Sequence, residues 1–116
     1  MTATSPFTPL GEGNFHSRLN QVRGLAVVLF SSPHCGACRA WKQLLPRALG
    51  ELDVRFFEVD VAQATGVARY YDIFHLPTIY LYRDGRFHAE LQAEARIDSI
   101  RTATHALIAA PAQDEP

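Results

Sequence analysis

The sequence predicts an α/β fold of three layers, with a central mixed sheet of four to five strands and helices on both faces. Three observations lead there. The continuous apolar run Leu25 to Phe30 has the composition of a strand covered on both sides. Helical spacing and a second strand-like run, Val54 to Asp60, follow it and complete a βαβ unit. Near the end, Asp84-Gly85 between two strand-like runs marks a hairpin. The chain has 116 residues, 47% of them apolar and 20% charged, which is one domain's worth of folding material.

Residues 1–13, with Pro6, Pro9, Gly11 and Gly13, read as a flexible lead-in. The domain proper is expected over 14–110. Phe15, Leu19 and Val22 share one helical face, Asn14 is available as a cap, and Gly24 ends the element. After the first strand, Trp41, Leu44, Leu45, Ala48, Leu49 and Leu52 recur at helical spacing, and Pro46 is expected to kink or interrupt that helix. Residues 62–71 read as helix, weakened at Gly66. Ile79 to Arg83 and Arg86 to Leu91 form the hairpin strands. Ile97, Ile100, Thr104, Leu107 and Ile108 stripe a last helix that Pro111 closes, leaving 111–116 as a frayed tail. Four tyrosines, at 70, 71, 80 and 82, alternate with core positions and read as amphipathic, with wet hydroxyls.

Eleven basic side chains against twelve acidic ones leave a net charge of −1. That balance speaks against nucleic-acid binding through a basic footprint and against docking on anionic membranes. No apolar run approaches the ~20 residues of a membrane span. Met1 to Gly13 has neither the basic nor the apolar segment of a secretory signal, so a cytoplasmic location is expected. No glycine-rich phosphate-binding pattern follows a strand, so no nucleotide cofactor is expected.

The informative residues are Cys35-Gly36-Ala37-Cys38, directly after a strand and at the start of a helix. Cysteines three apart in a first helical turn can be bridged with little backbone movement. The unpaired N–H groups and positive dipole end there stabilise a thiolate at Cys35. A thiolate attacks disulfides, and a second thiol one turn on can release the mixed disulfide. Three blander readings stand beside this one. A structural bridge over four residues would constrain the unfolded chain very little. Half a zinc site would need two more ligands, and the five histidines lack the usual spacing, so no metal is expected within one chain; a metal shared between two chains stays open. Inert thiols are the third.

From about Phe15 to Ile108 the chain resembles the thioredoxin family. The resemblance is carried by the apolar strand running into C-G-x-C, by Val59-Asp60, by Tyr71-Asp-Ile-Phe-His-Leu-Pro-Thr78 and by Tyr80-Leu-Tyr-Arg-Asp-Gly85. It implies a thioredoxin-like fold and a thiol–disulfide oxidoreductase acting on protein substrates. Cys35 would be the nucleophile and Cys38 the resolving thiol, with no bound cofactor besides their redox-active disulfide. It implies a cis Leu76–Pro77 bond beside the cysteines and a Leu76 backbone free to pair with an extended substrate. His34, Gly36, Ala37, His75 and Thr78 join Leu76 and Pro77 as candidate substrate contacts. A monomer re-reduced by a thioredoxin reductase completes the implied picture.

The departures from the family pattern are specific. His34 replaces the tryptophan that flanks the nucleophile, and Ala37 replaces the proline between the cysteines. A protonated His34 could favour the Cys35 thiolate; an exposed histidine without a role is the plain alternative. Leu29 stands where the family carries a buried aspartate, and Phe56 aligns with its lysine partner. That pair usually assists proton transfer at the second cysteine. The family's helix proline falls three residues before Pro46, and Ala93 aligns with a glycine that leaves room for substrate. These losses keep a second function open: a binding or assembly module whose cysteine pair is regulatory or vestigial.

Overall fold

The computed structural model describes residues 5–116. The elements are β1 (Phe7–Leu10), α1 (Phe15–Asn20), β2 (Leu25–Ser31), α2 (Gly36–Leu49), β3 (Val54–Asp60), α3 (Thr65–Tyr70), β4 (Thr78–Arg83), β5 (Arg86–Glu90) and α4 (Ile97–Ala109). The five strands lie in the order β1-β3-β2-β4-β5. β1, β3 and β2 run parallel, and β4 and β5 run antiparallel to their neighbours. The mixed α/β sheet with helices on both faces is the arrangement expected from the sequence.

β2 sits at the centre because every one of its residues after Leu25 is buried. Its even-numbered side chains Ala26, Val28 and Phe30 pack under α1 and α3, with Phe15, Leu19 and Val67. Val27 and Leu29 face α2 and α4, with Trp41, Leu45, Leu49 and Ile100. The period-2 alternation of the strand thus feeds two separate cores.

Several boundaries differ from the sequence reading. Residues 7–10 of the lead-in form β1, an edge strand in register with Phe56 to Val59. Its four residues are too short for a periodic signal, and Pro9 is tolerated because an edge strand has one unpaired side. Asn14 stands at the N-cap position of α1, but its side chain makes no bond to the helix; its Oδ1 accepts from the Gly11 amide at 2.8 Å. α2 continues through Pro46 to Leu49, held by the buried side chains of Leu45, Ala48 and Leu49. α3 is shorter than 62–71, and its Val67 amide donates to Oε1 of Glu12 at 2.9 Å.

The tail is not frayed at Gln113. The Gln113 amide donates to the His88 carbonyl at 2.7 Å, and its Oε1 accepts from the Glu90 amide at 3.1 Å. These are unpaired groups of the edge strand β5, which no sequence pattern announces. Three of the four tyrosines are dry as well. Tyr71, Tyr80 and Tyr82 are at most 3% exposed, and the Tyr82 hydroxyl donates to that of Tyr71 at 3.0 Å. Tyr70 alone is exposed.

Candidate active site at the start of α2

β2 ends at Ser31, and a four-residue loop delivers Cys35 to the first turn of α2. Cys35 is the N-cap residue: its backbone is extended, and its Sγ accepts from the Cys38 amide at 3.1 Å. A cap oxygen usually does this work for the free amides of a first turn; here a sulfur does. In the dithiol form the same amide and the helix dipole favour a negative sulfur at Cys35. Cys35 and Cys38 form a disulfide with Cα atoms 5.2 Å apart. Cys35 is partly exposed, whereas Cys38 is 3% exposed and turned into the protein.

The second chain segment reaches the same end of the sheet from β4. Thr78 is the register partner of Phe30, so Leu76 and Pro77 lie beyond it on the side where β2 leads into the cysteine loop. The Leu76–Pro77 peptide bond is cis. Thr78 Oγ1 donates to the His75 carbonyl at 2.8 Å and pins the turn. Among the described residues, the Leu76 amide and carbonyl take no backbone hydrogen bond. His34, Gly36, Ala37 and His75 are exposed around this end. A β-carbon added at Gly36 would meet open space, so that glycine leaves the surface beside Cys35 bare.

Leu29 and Phe56 both lie in the apolar core beneath α2, fully or nearly buried. No charge sits at either position. Instead a charged group stands two residues further along β3, on the Phe56 face and nearer the cysteine end of the sheet. Glu58 Oε1 is 2.7 Å from Lys42 Nζ, and its Oε2 accepts from the Ser31 hydroxyl at 2.8 Å. Lys42 follows Cys38 by four residues, one turn along the same helix face. Glu58 also lines a hollow of about 340 Å³ that opens beneath Ser31, Ser32 and Pro33.

The sequence reading missed this trio. Its visible signal was a carboxylate set between the apolar residues Phe57 and Val59 of β3, together with a lysine one turn after Cys38. It also passed over Phe74, which is 83% exposed with its ring 5.2 Å from that of His75. Among the described residues no cluster of three or more histidine, cysteine or acidic side chains is arranged to hold a metal ion. No helix of the described residues is long and apolar enough to cross a membrane.

The Thioredoxin family model matches residues 7–106. A thioredoxin of Acetoanaerobium sticklandii is 33% identical over 88 residues, which cover 73% of this chain and 83% of that protein. Thioredoxin Asp f 28 of Aspergillus fumigatus is 41% identical over 68 residues, 54% of this chain. The chain spans 59% of that relative's length. Among solved structures, oxidized mitochondrial thioredoxin 3 of Saccharomyces cerevisiae superposes with a TM-score of 0.70 at 24% identity, covering 89% of this chain and 95% of that one. The zinc-bound form of human ERp44 gives 0.71 at 22% identity, covering 86% of this chain and 31% of that one. At these identities the two structures speak for the fold alone. The family match runs from β1 into α4 and includes both cysteines at the helix start, and on that ground the chain belongs to the thioredoxin family.

Proposed function

We propose that the protein is a thiol–disulfide oxidoreductase that exchanges disulfides with protein substrates. The observation that carries this reading is the unequal exposure of the two sulfurs across one helical turn. Cys35 thiolate attacks a substrate disulfide, forms the mixed disulfide and releases one substrate thiolate. Cys38 then attacks Cys35 Sγ, releases the second substrate thiolate and closes the Cys35–Cys38 disulfide. The substrate gains two electrons, both from the chain's two sulfurs; Cys38 gives up one proton, and water supplies the other because Cys35 attacks already ionised. No cofactor beyond the cysteine pair is needed for this balance.

The substrate segment docks in extended form against the free Leu76 backbone, bordered by Pro77, Thr78, His34, Gly36, Ala37 and His75. Exposed Phe74 offers an apolar contact on the same rim. Buried Cys38 must lose its proton as it attacks, and Glu58, whose partner Lys42 stands one turn after Cys38 on α2, is the carboxylate assigned to accept it through water. Lys42 pairs with Glu58 at 2.7 Å, and the Ser31 hydroxyl donates to its other oxygen. The protein works as a cytoplasmic monomer, and a thioredoxin reductase returns its disulfide to the dithiol.

Reduction of insulin disulfides, with and without a thioredoxin reductase, tests the reading. Turnover sustained by the reductase is expected. An intact dithiol that reduces neither insulin nor small disulfides would instead support the binding-module alternative. Limited alkylation of the dithiol at mildly acidic pH should label Cys35 first; preferential labelling of Cys38 would overturn the assignment of roles. Glu58→Gln should slow release of the mixed disulfide about tenfold at neutral pH and shift its pH profile upward. An unchanged profile would remove Glu58 from the proton path.

A further inference from the structure

The end of the sheet opposite the cysteines holds a hollow of about 550 Å³. Arg23 before β2, Arg83 at the end of β4 and Arg86 at the start of β5 line it, together with His88. Three guanidiniums against one carboxylate, Asp84, is a local concentration of positive charge in a chain whose net charge is −1. Among the described residues, none of the three arginines lies within 4 Å of a carboxylate oxygen. Asp84 is committed elsewhere, its Oδ1 accepting from the Gly24 amide at 2.7 Å.

Arg83 and Arg86 are direct partners across the β4–β5 ladder. Like charges placed opposite one another destabilise a sheet. The hairpin turn requires left-handed backbone at Asp84 (φ 52°) and Gly85 (φ 82°), but it does not require arginine on both sides. One wall is firm: Arg83 Nη2 donates to the Ile108 carbonyl at 2.9 Å, and His88 Nε2 donates to the Leu107 carbonyl at 2.7 Å. The C-terminus of α4 therefore holds Arg83 in place and leaves its remaining donors for a ligand. Arg23 and Arg86 are exposed and free to close over that ligand.

We propose that this hollow binds a phosphate-bearing small molecule, with the phosphoryl oxygens received by Arg83, Arg86 and Arg23. A doubly charged oxyanion relieves the Arg83–Arg86 opposition, and its oxygens match the fork geometry of guanidinium donors. The site is remote from Cys35 and Cys38, so it stands whether or not the redox reading does.

The test is an NMR titration of the full chain with inorganic phosphate at constant ionic strength, with sodium chloride as the reference. Saturable shifts confined to residues 83–88, 23–24 and 110–112 are expected. Arg86→Gln and Arg23→Gln should each weaken binding about tenfold without lowering the melting temperature, which Arg86→Gln should raise slightly, and with insulin reduction unchanged. Adenosine monophosphate serves as a second arm: tighter binding than inorganic phosphate identifies a ligand with an organic body, and equal binding identifies the free anion. Shifts that chloride reproduces, or that persist undiminished in both variants, would overturn the site. A short polyglutamate peptide that binds more tightly than either phosphate compound would overturn the phosphoryl assignment.

Discussion

The two faces of the sheet are built from different materials. Over one face lie α1 and α3, six residues each, and the space they leave is filled by rings: Phe15, Phe30, Tyr71, Tyr80, Tyr82 and Phe87. Over the other lie α2 and α4, of 14 and 13 residues, and a mostly aliphatic set of side chains with Trp41, Phe7 and Phe56 completes the contact. Short helices bring few side chains to a sheet, so each must be large; long helices bring enough small ones. The chemistry follows the second arrangement. The long helix α2 carries both cysteines and Lys42, and its first-turn amides act on Cys35. The aromatic face contributes stability and contains none of these groups.

That division predicts which face an alteration will speak through. The largest effect belongs to Cys35→Ser, which should reduce disulfide turnover at least ~10³-fold while leaving stability of the dithiol form nearly unchanged, because no other thiolate is available at the surface. Comparison of insulin reduction with urea unfolding under reducing conditions checks both halves. Phe15→Ala should do the reverse. Its ring is fully buried against Phe30, Tyr71 and Tyr82, and its loss should lower stability by about 3–5 kcal/mol. Activity per folded molecule should be preserved; a matching fall in activity would break the division between faces.

Leu29→Asp sharpens the comparison from the catalytic side. The new carboxylate would lie in the α2-facing core, in register with Glu58 on β3 and Ile79 on β4. Burial without a partner should cost about 1–3 kcal/mol, and mixed-disulfide release near neutral pH should quicken. If neither stability nor release changes, Leu29 does not lie beneath the cysteine pair.

The smallest effects belong to the buried hydroxyls. Burial pushes Tyr71 and Tyr80 up to about 12 from an ordinary value of 10, and Tyr82 higher still. The unfolded chain loses these protons first as pH rises. Their contribution is therefore complete below about pH 10 and is lost between about 10 and 12. Alkaline denaturation followed by tyrosinate absorbance should show ionisation and unfolding together in that window. Tyr82→Phe should lower stability at neutral pH by about 1 kcal/mol through loss of its hydrogen bond to Tyr71. Titration of Tyr71, Tyr80 and Tyr82 near pH 10 with the fold intact would contradict their burial.

Much of the catalytic end was legible because its signals are local. Cys35 and Cys38 lie within one turn, and the strand before them is apolar without a break. The role of Glu58 was not legible. An acid in β3 acquires meaning from Ser31 and Lys42, which come from two other elements. The burial of Tyr71 and Tyr82 was misread for a related reason. A hydroxyl eleven residues from its partner looks unpaired along the chain, yet the two meet across the core.

By itself the sequence determined the α/β class, the long amphipathic helix, the Asp84-Gly85 turn and the placement of a cysteine pair at a helix start. Each of these depends on side-chain periodicity or on backbone preferences spanning a few residues. The tertiary structure alone decided that residues 7–10 become an edge strand and that Gln113 closes on β5. It also decided that Lys42 meets Glu58 and that Arg83 faces Arg86. These contacts join residues distant along the chain or set on opposite sides of a turn, and their energies exist only after the sheet has brought the elements together.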